Sequence, residues 1–274
     1  MSVLQLVETS LRDGNQSLWA ALGVDTANTL TIAPVMDRVG FKAIDFTTST
    51  HMGVAVRFKK EDPWERIRLM AAATPNTPLQ FMSTGFRFIS WETAHPQFMA
   101  LVFQVLARNG IRRFCLADPM NDADSNIACA RLVKQGGGEY VIAALVFTLS
   151  PVHDDAHYVA AARKLGGCTD IDAIYIKDPG GLLSPKRAQT LIPAIKAVIE
   201  AKKGFRHACD FQNGPHCGRD RSSRHDRSEP LDGAGPCPGE RLDGFPRFLS
   251  GTARALQFPQ IGRASCRERV FNWV

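Results

Sequence analysis

The chain has 274 residues, 45% of them hydrophobic, with a formal net charge of +6 and seven cysteines. That length holds one α/β barrel and is long for a single open sheet, and no apolar run approaches the roughly 20 residues a membrane span needs. Lys and Arg are interspersed with Asp and Glu through most of the chain without a basic stripe of interleaved aromatics, which argues against nucleic-acid binding. The cysteines lack framework spacing, and the opening residues lack a basic stretch followed by an apolar run, so reduced thiols and a cytoplasmic location without a signal peptide are expected.

The first apolar run, residues 4–8, is an expected strand. It leads into Glu8-Thr9-Ser10-Leu11-Arg12-Asp13-Gly14-Asn15-Gln16-Ser17, which sets Arg12, Asp13 and Gln16 in one short turn. An anion clamp, a hard-metal ligand and an amide are what a site needs to hold a carboxylate-bearing substrate on a divalent cation. Further strands are expected at 43–47, 79–82, 113–117, 141–148 and 173–177, with helical stretches between them. The clearest helix covers 185–203, where Leu191, Ile192, Ile195, Val198 and Ile199 share a face and Pro185 suits a first turn. The sixth strand ends in Lys177-Asp178-Pro179-Gly180-Gly181, a second charged turn. Six βα units at roughly 30-residue spacing, with no Gly-x-Gly-x-x-Gly after the first strand, favour a TIM barrel truncated after about six units over a doubly wound sheet. Polar residues at 47–50, 118 and 153–155 would then converge with both charged turns on the carboxyl face.

From His207 onward the composition changes: Lys is absent, Arg recurs, and apolar periodicity disappears. Such text ordinarily reads as a disordered tail. Back-translated into GC-rich codons and shifted by one base, residues 209–218 and 235–244 instead give ordinary barrel-like sequence, and residues 261–270 match a sequencing adapter read as coding DNA. The expected organisation is therefore an incomplete barrel over 1–206 and an out-of-frame stretch over 207–274. Genomic DNA carrying the same frame through Val274 would overturn that. Cys209, His216, Cys217, His225 and Cys237 match no compact zinc spacing.

The segments Glu8 to Ser17, Arg57-Phe58, Glu61-Asp62-Pro63-Trp64-Glu65-Arg66, Thr74-Pro75-Asn76-Thr77-Pro78-Leu79-Gln80, Ser150-Pro151-Val152-His153 and Ile176-Lys177-Asp178 resemble, in order, the pyruvate carboxyltransferase domain family. Pyruvate carboxylase, oxaloacetate decarboxylase alpha subunit and transcarboxylase carry such domains, within the wider group of hydroxymethylglutaryl-CoA-lyase-like metal-dependent barrels. The resemblance covers roughly residues 3 to 204. It implies a divalent metal (zinc, manganese, cobalt or magnesium) on Asp13, a carbamylated Lys177 and a strand-seven histidine at His207, with Arg12 and Gln16 orienting substrate. It further implies carboxybiotin delivered by a carrier domain or subunit, a small 2-keto acid such as pyruvate or oxaloacetate as substrate, and a homo-oligomer in the intact enzyme.

Departures are visible too. Of the family's His-x-His pair only His207 remains, Thr84 stands where the family has a substrate arginine, and Thr48-Ser49-Thr50 replaces its Gly-Ala-Thr. By the same resemblance His153 to His157 is a loop-to-helix start with Asp154 or Asp155 near the helix N-terminus, not a metal cluster. Asp118 and Asn121 either enter the pocket or form a cap and turn. The leading expectation is metal-dependent, biotin-linked carboxyl transfer. An aldol-type acyl-CoA lyase or condensing enzyme on the same barrel, and an inactive partial barrel, are the alternatives.

Overall fold

Strand order separates a barrel from a doubly wound sheet. The computed structural model describes residues 5–89 and 92–200. Among these, six parallel strands lie in strict chain order: β1 (Val7–Glu8), β2 (Ala43–Thr48), β3 (Leu79–Ser83), β4 (Ile111–Leu116), β5 (Tyr140–Val146) and β6 (Ala173–Lys177). Right-handed crossovers that always step the same way put the helices on one face, whereas a doubly wound sheet needs a reversal of order. No reversal occurs.

The helices are α1 (Asn15–Trp19), α2 (Thr26–Arg38), α3 (Ser49–Val54), α4 (Pro63–Ala73), α5 (Pro96–Arg108), α6 (Ala123–Gln135), α7 (Asp155–Leu165) and α8 (Pro185–Glu200). One apolar cluster joins Met36 of α2, Met70 of α4, Phe103 of α5, Val133 of α6, Leu165 of α7 and Ile195 of α8 to Phe46, Phe81, Phe114, Leu145 and Ile174 of the strands. A smaller cluster on the other sheet face holds Met82, Cys115, Ala117, Ile142, Ala144, Ala173 and Tyr175. That face is concave. Lys177 Nζ of β6 lies 3.4 Å from Met82 Sδ of β3, whereas three strand spacings across a flat sheet are about 14 Å. The described residues are thus six βα units of a TIM barrel, with β1 and β6 as the sheet edges among them.

Several boundaries differ from expectation for identifiable reasons. β4 starts two residues early, because a register slip between Leu79 and Gln80 accommodates Arg112 as an extra residue and breaks the alternation. β5 stops at Val146, where Asn121 clamps both main-chain groups: Val146 N–H donates to Oδ1 at 2.7 Å, and Nδ2 donates to the Val146 carbonyl at 2.9 Å. Helix starts follow capping chemistry, with Asp25, Asp62, Asp122 and Asp154 each accepting a main-chain N–H at an N-terminus. Among the described residues no helix is long and apolar enough to cross a membrane. His207, the Lys-free stretch and the adapter-like segment 261–270 lie outside the described residues.

Candidate active site

The turn after β1 is π-helical over Ser10–Gly14, with the N–H groups of Arg12, Asp13 and Gly14 all donating to the Thr9 carbonyl at 3.2, 2.8 and 3.1 Å. Insertions of this kind are frequent where backbone must present side chains to a site. Here the turn sends Arg12 inward, 2% exposed. Its Nε donates to Asp45 Oδ2 at 2.7 Å and its Nη1 donates to Asp13 Oδ1 at 2.6 Å. Burial works against the guanidinium charge, but Asp45 and then Asp13 outweigh it and raise the Arg12 pKa. Arg12 therefore ties the first strand end to β2 and orients Asp13.

Lys177, at the end of β6, belongs to the same electrostatic neighbourhood. Burial, followed by the Arg12 charge, pulls its amine below the ordinary lysine range, partly offset by Cys115, Asp13 and Asp45. Its short contact is the Met82 thioether, a setting that favours the neutral amine. Asp178 does not pair with it. That carboxylate instead accepts the N–H groups of Leu182 and Leu183 at 3.0 and 2.8 Å and shapes the bend. On the same sheet face the Cys115 thiol donates to Tyr175 Oη at 3.0 Å. Burial pushes that thiol up to about 11, which makes it a packing group and not a nucleophile. Towards the strand starts, Arg113 lies over the Tyr140 ring at 4.3 Å and bonds Gln80 at 3.5 Å.

The second strand end adds what sequence reasoning missed. A register slip between Asp45 and Thr47 sets Thr48 opposite Met82, and Thr48 Oγ1 caps α3 by accepting the His51 N–H at 3.3 Å. His51 Nδ1 lies 3.0 Å from the same Oγ1. Burial, then Arg12 and Arg66, lower the His51 pKa to about 4, so the ring is neutral near pH 7. A charged residue between Ile44 and Phe46 in an otherwise apolar strand was the available signal for Asp45.

The other residues singled out from the sequence have the following surroundings. Gln16 is exposed on α1. Arg87 Nη1 reaches the Thr84 carbonyl at 3.5 Å. Asp118 accepts the Met120 N–H at 2.7 Å, and Asp122 rather than Asp118 caps α6. Asp154 caps α7 by accepting the His157 N–H at 2.8 Å, so the 153–157 segment is the expected helix start. Among the described residues no three His, Cys, Asp or Glu side chains cluster closely enough to hold a metal ion.

No protein-family model matches the chain. Curated proteins do. A pyruvate carboxylase subunit of Methanocaldococcus jannaschii is 35% identical over 200 residues, 72% of this chain and 34% of that protein. The methylmalonyl-CoA carboxyltransferase 5S subunit of Propionibacterium freudenreichii is 29% identical over 209 residues, 76% and 41% of the respective chains. The 2-oxoglutarate carboxylase large subunit of Hydrogenobacter thermophilus is 28% identical over 197 residues, 72% and 30%. Among solved structures, the carboxyl transferase domain of Rhizobium etli pyruvate carboxylase with pyruvate and biocytin superposes with a TM-score of 0.68 at 24% identity, covering 74% of this chain and 35% of that one. The expected resemblance holds: this chain, spanning about a third of the length of the two pyruvate carboxylase subunits B it resembles at 35% and 32% identity, is similar to them in sequence and shares the fold of the pyruvate carboxylase carboxyl transferase domain.

Proposed function

We propose that the chain is the first six βα units of a metal-dependent carboxyltransferase barrel, moving a carboxyl group between biotin and a 2-keto acid. The observation that carries this reading is the convergence of Arg12, Asp13 and Lys177 from opposite edges of the sheet into one electrostatic group. Asp13, held by Arg12, and Lys177, as a carbamate, would hold a divalent ion together with donors from outside the described residues, where His207 lies. When bound, such an ion polarises a keto oxygen and stabilises the developing enolate. The chain's own residues supply the rest. A neutral Lys177 amine can add carbon dioxide, releasing one proton, to become an anionic oxygen donor. Arg12 is fixed on both sides by carboxylates, so it orients Asp13 at little further entropic cost. The carrier of biotin would be another domain or subunit, and the soluble, cytoplasmic setting expected from the sequence suits such an enzyme.

A second reading rests on the two sheet edges. In its present frame the chain leaves β1 and β6 as edge strands among the described residues, and a barrel with open edges and a partial donor set would be inactive. One experiment separates the two. The DNA encoding residues 201–274 is resequenced, and oxaloacetate decarboxylation with added biocytin is followed for the 274-residue chain and for any frame-corrected chain. Under the first reading the corrected chain forms pyruvate in a biocytin- and Mn²⁺-dependent manner, and Asp13→Asn removes about two or more orders of magnitude. A genuine present frame without turnover establishes the inactive form. Turnover that requires an acyl-CoA and ignores biocytin overturns carboxyl transfer.

A further inference from the structure

We propose that His51 is a positioning residue for the π-helical turn carrying Arg12 and Asp13, holding that turn from the second strand end through its Nε2–H. The ring is 7% exposed and pinned on one side by Thr48. In the tautomer that the proposal assigns, the Thr48 hydroxyl donates to Nδ1 while its oxygen accepts the main-chain N–H of His51, and the imidazole proton resides on Nε2. Nε2 is buried without a hydrogen bond of full geometry, and it faces the Arg12 main chain. The Arg12 carbonyl already accepts the Asn15 N–H and keeps a second lone pair. A buried donor beside a carbonyl with spare capacity closes that bond with a small shift of the turn.

The consequence is directional. The β2 register slip aims Thr48, Thr48 fixes the imidazole, and the imidazole bears on the turn that sets Arg12 and Asp13. Replacing His51 would loosen the turn while leaving the helix-facing core intact, since no member of the helix-facing cluster is altered.

The test compares His51→Gln, His51→Asn and His51→Ala in the full 274-residue chain. A glutamine amide nitrogen reproduces Nε2, whereas asparagine reproduces only the Nδ1 position. The readouts are amide hydrogen exchange at Asp13 and Gly14, with Phe81 and Phe114 as core references, and Mn²⁺ affinity, which rests on the reading of Asp13 as a ligand above. The Ala and Asn variants should speed exchange at Asp13 and Gly14 and weaken Mn²⁺ binding by about tenfold or more, with Gln restoring both to within about threefold. Unchanged exchange in His51→Ala, or rescue by Asn equal to that by Gln, overturns the proposal. Should wild type and Asp13→Asn bind Mn²⁺ equally poorly, the ligand reading of Asp13 has failed, and exchange at the two amides alone decides the role of His51. If His51→Ala does not fold, the Gln and Asn pair carries the comparison.

Discussion

Phe114 and Cys115 are neighbours in β4 that belong to opposite faces of the sheet, and they show how the two faces are built. Phe114 is fully buried, stacks edge-on against Phe103 at 5.9 Å, lies 6.4 Å from Phe81, and belongs to the large cluster that α2 and α4 to α8 all join. Cys115 lies among small apolar groups and hydrogen-bonds a phenol. Asp45, Gln80, Arg113, Tyr175 and Lys177 accompany it on the concave face, each engaged by a specific partner or neighbour. The helix-facing side obtains its stability from area and close packing, which tolerate no voids. The concave side trades area for partnered polar groups, and its contacts are few and directional.

Substitutions at the two faces should therefore separate by size. Phe114→Ala removes an aromatic ring from the helix-facing core and should lower unfolding free energy by about 4 kcal/mol, read from chemical denaturation. Next stands Arg12→Met, which leaves Asp45 buried without its ion-pair partner and should cost about 3 kcal/mol. Adding Asp45→Leu to that variant should recover most of the loss, since replacing both members of a buried pair by apolar groups is often neutral. A double variant no more stable than Arg12→Met would show that the concave face depends on packing rather than on pairing. Cys115→Ala should cost only about 1.5 kcal/mol, because it deletes one weak donor and little volume. Equal losses at Phe114 and Cys115 would dissolve the distinction between the faces.

The same contrast explains what the sequence disclosed. Helix-facing positions recur with the period of their element, so the strands and α8 were legible from local pattern, and β6 matches its expected span. Boundaries failed where a long-range contact intervened: the Asn121 clamp on Val146 lies 25 residues away, and the slip at Arg112 exists only because β3 must pair there. Arg12, Asp13 and Lys177 were legible because charged residues interrupt apolar strands at their ends. Asp45 and His51 were not. Asp45 is significant only through Arg12, 33 residues earlier, and His51 only through a register slip that turns Thr48 towards it.

The smallest expected effect tests whether that hidden histidine is buried as tightly as its geometry implies. In the unfolded chain His51 titrates near its ordinary 6.5, while in the fold burial and two arginines hold it at about 4. Well above pH 6.5 both states are neutral at this ring and it contributes no pH dependence. As pH falls from 6.5 towards 4 the unfolded chain takes up the proton first, so folding stability declines, and the decline levels off once the folded ring is protonated as well. Carboxylates elsewhere in the chain begin to titrate at the acid end of this range, so the informative quantity is the difference between wild type and His51→Gln in denaturation midpoint at pH 7 and at pH 5.5. Wild type should lose more stability than the glutamine variant by about 1 kcal/mol, because at the lower pH the unfolded ring is mostly charged while the folded one is not. Parallel losses in the two proteins would mean that the ring is protonated in the fold without penalty, and with it would go the argument that a buried, neutral imidazole bears on the Arg12–Asp13 turn.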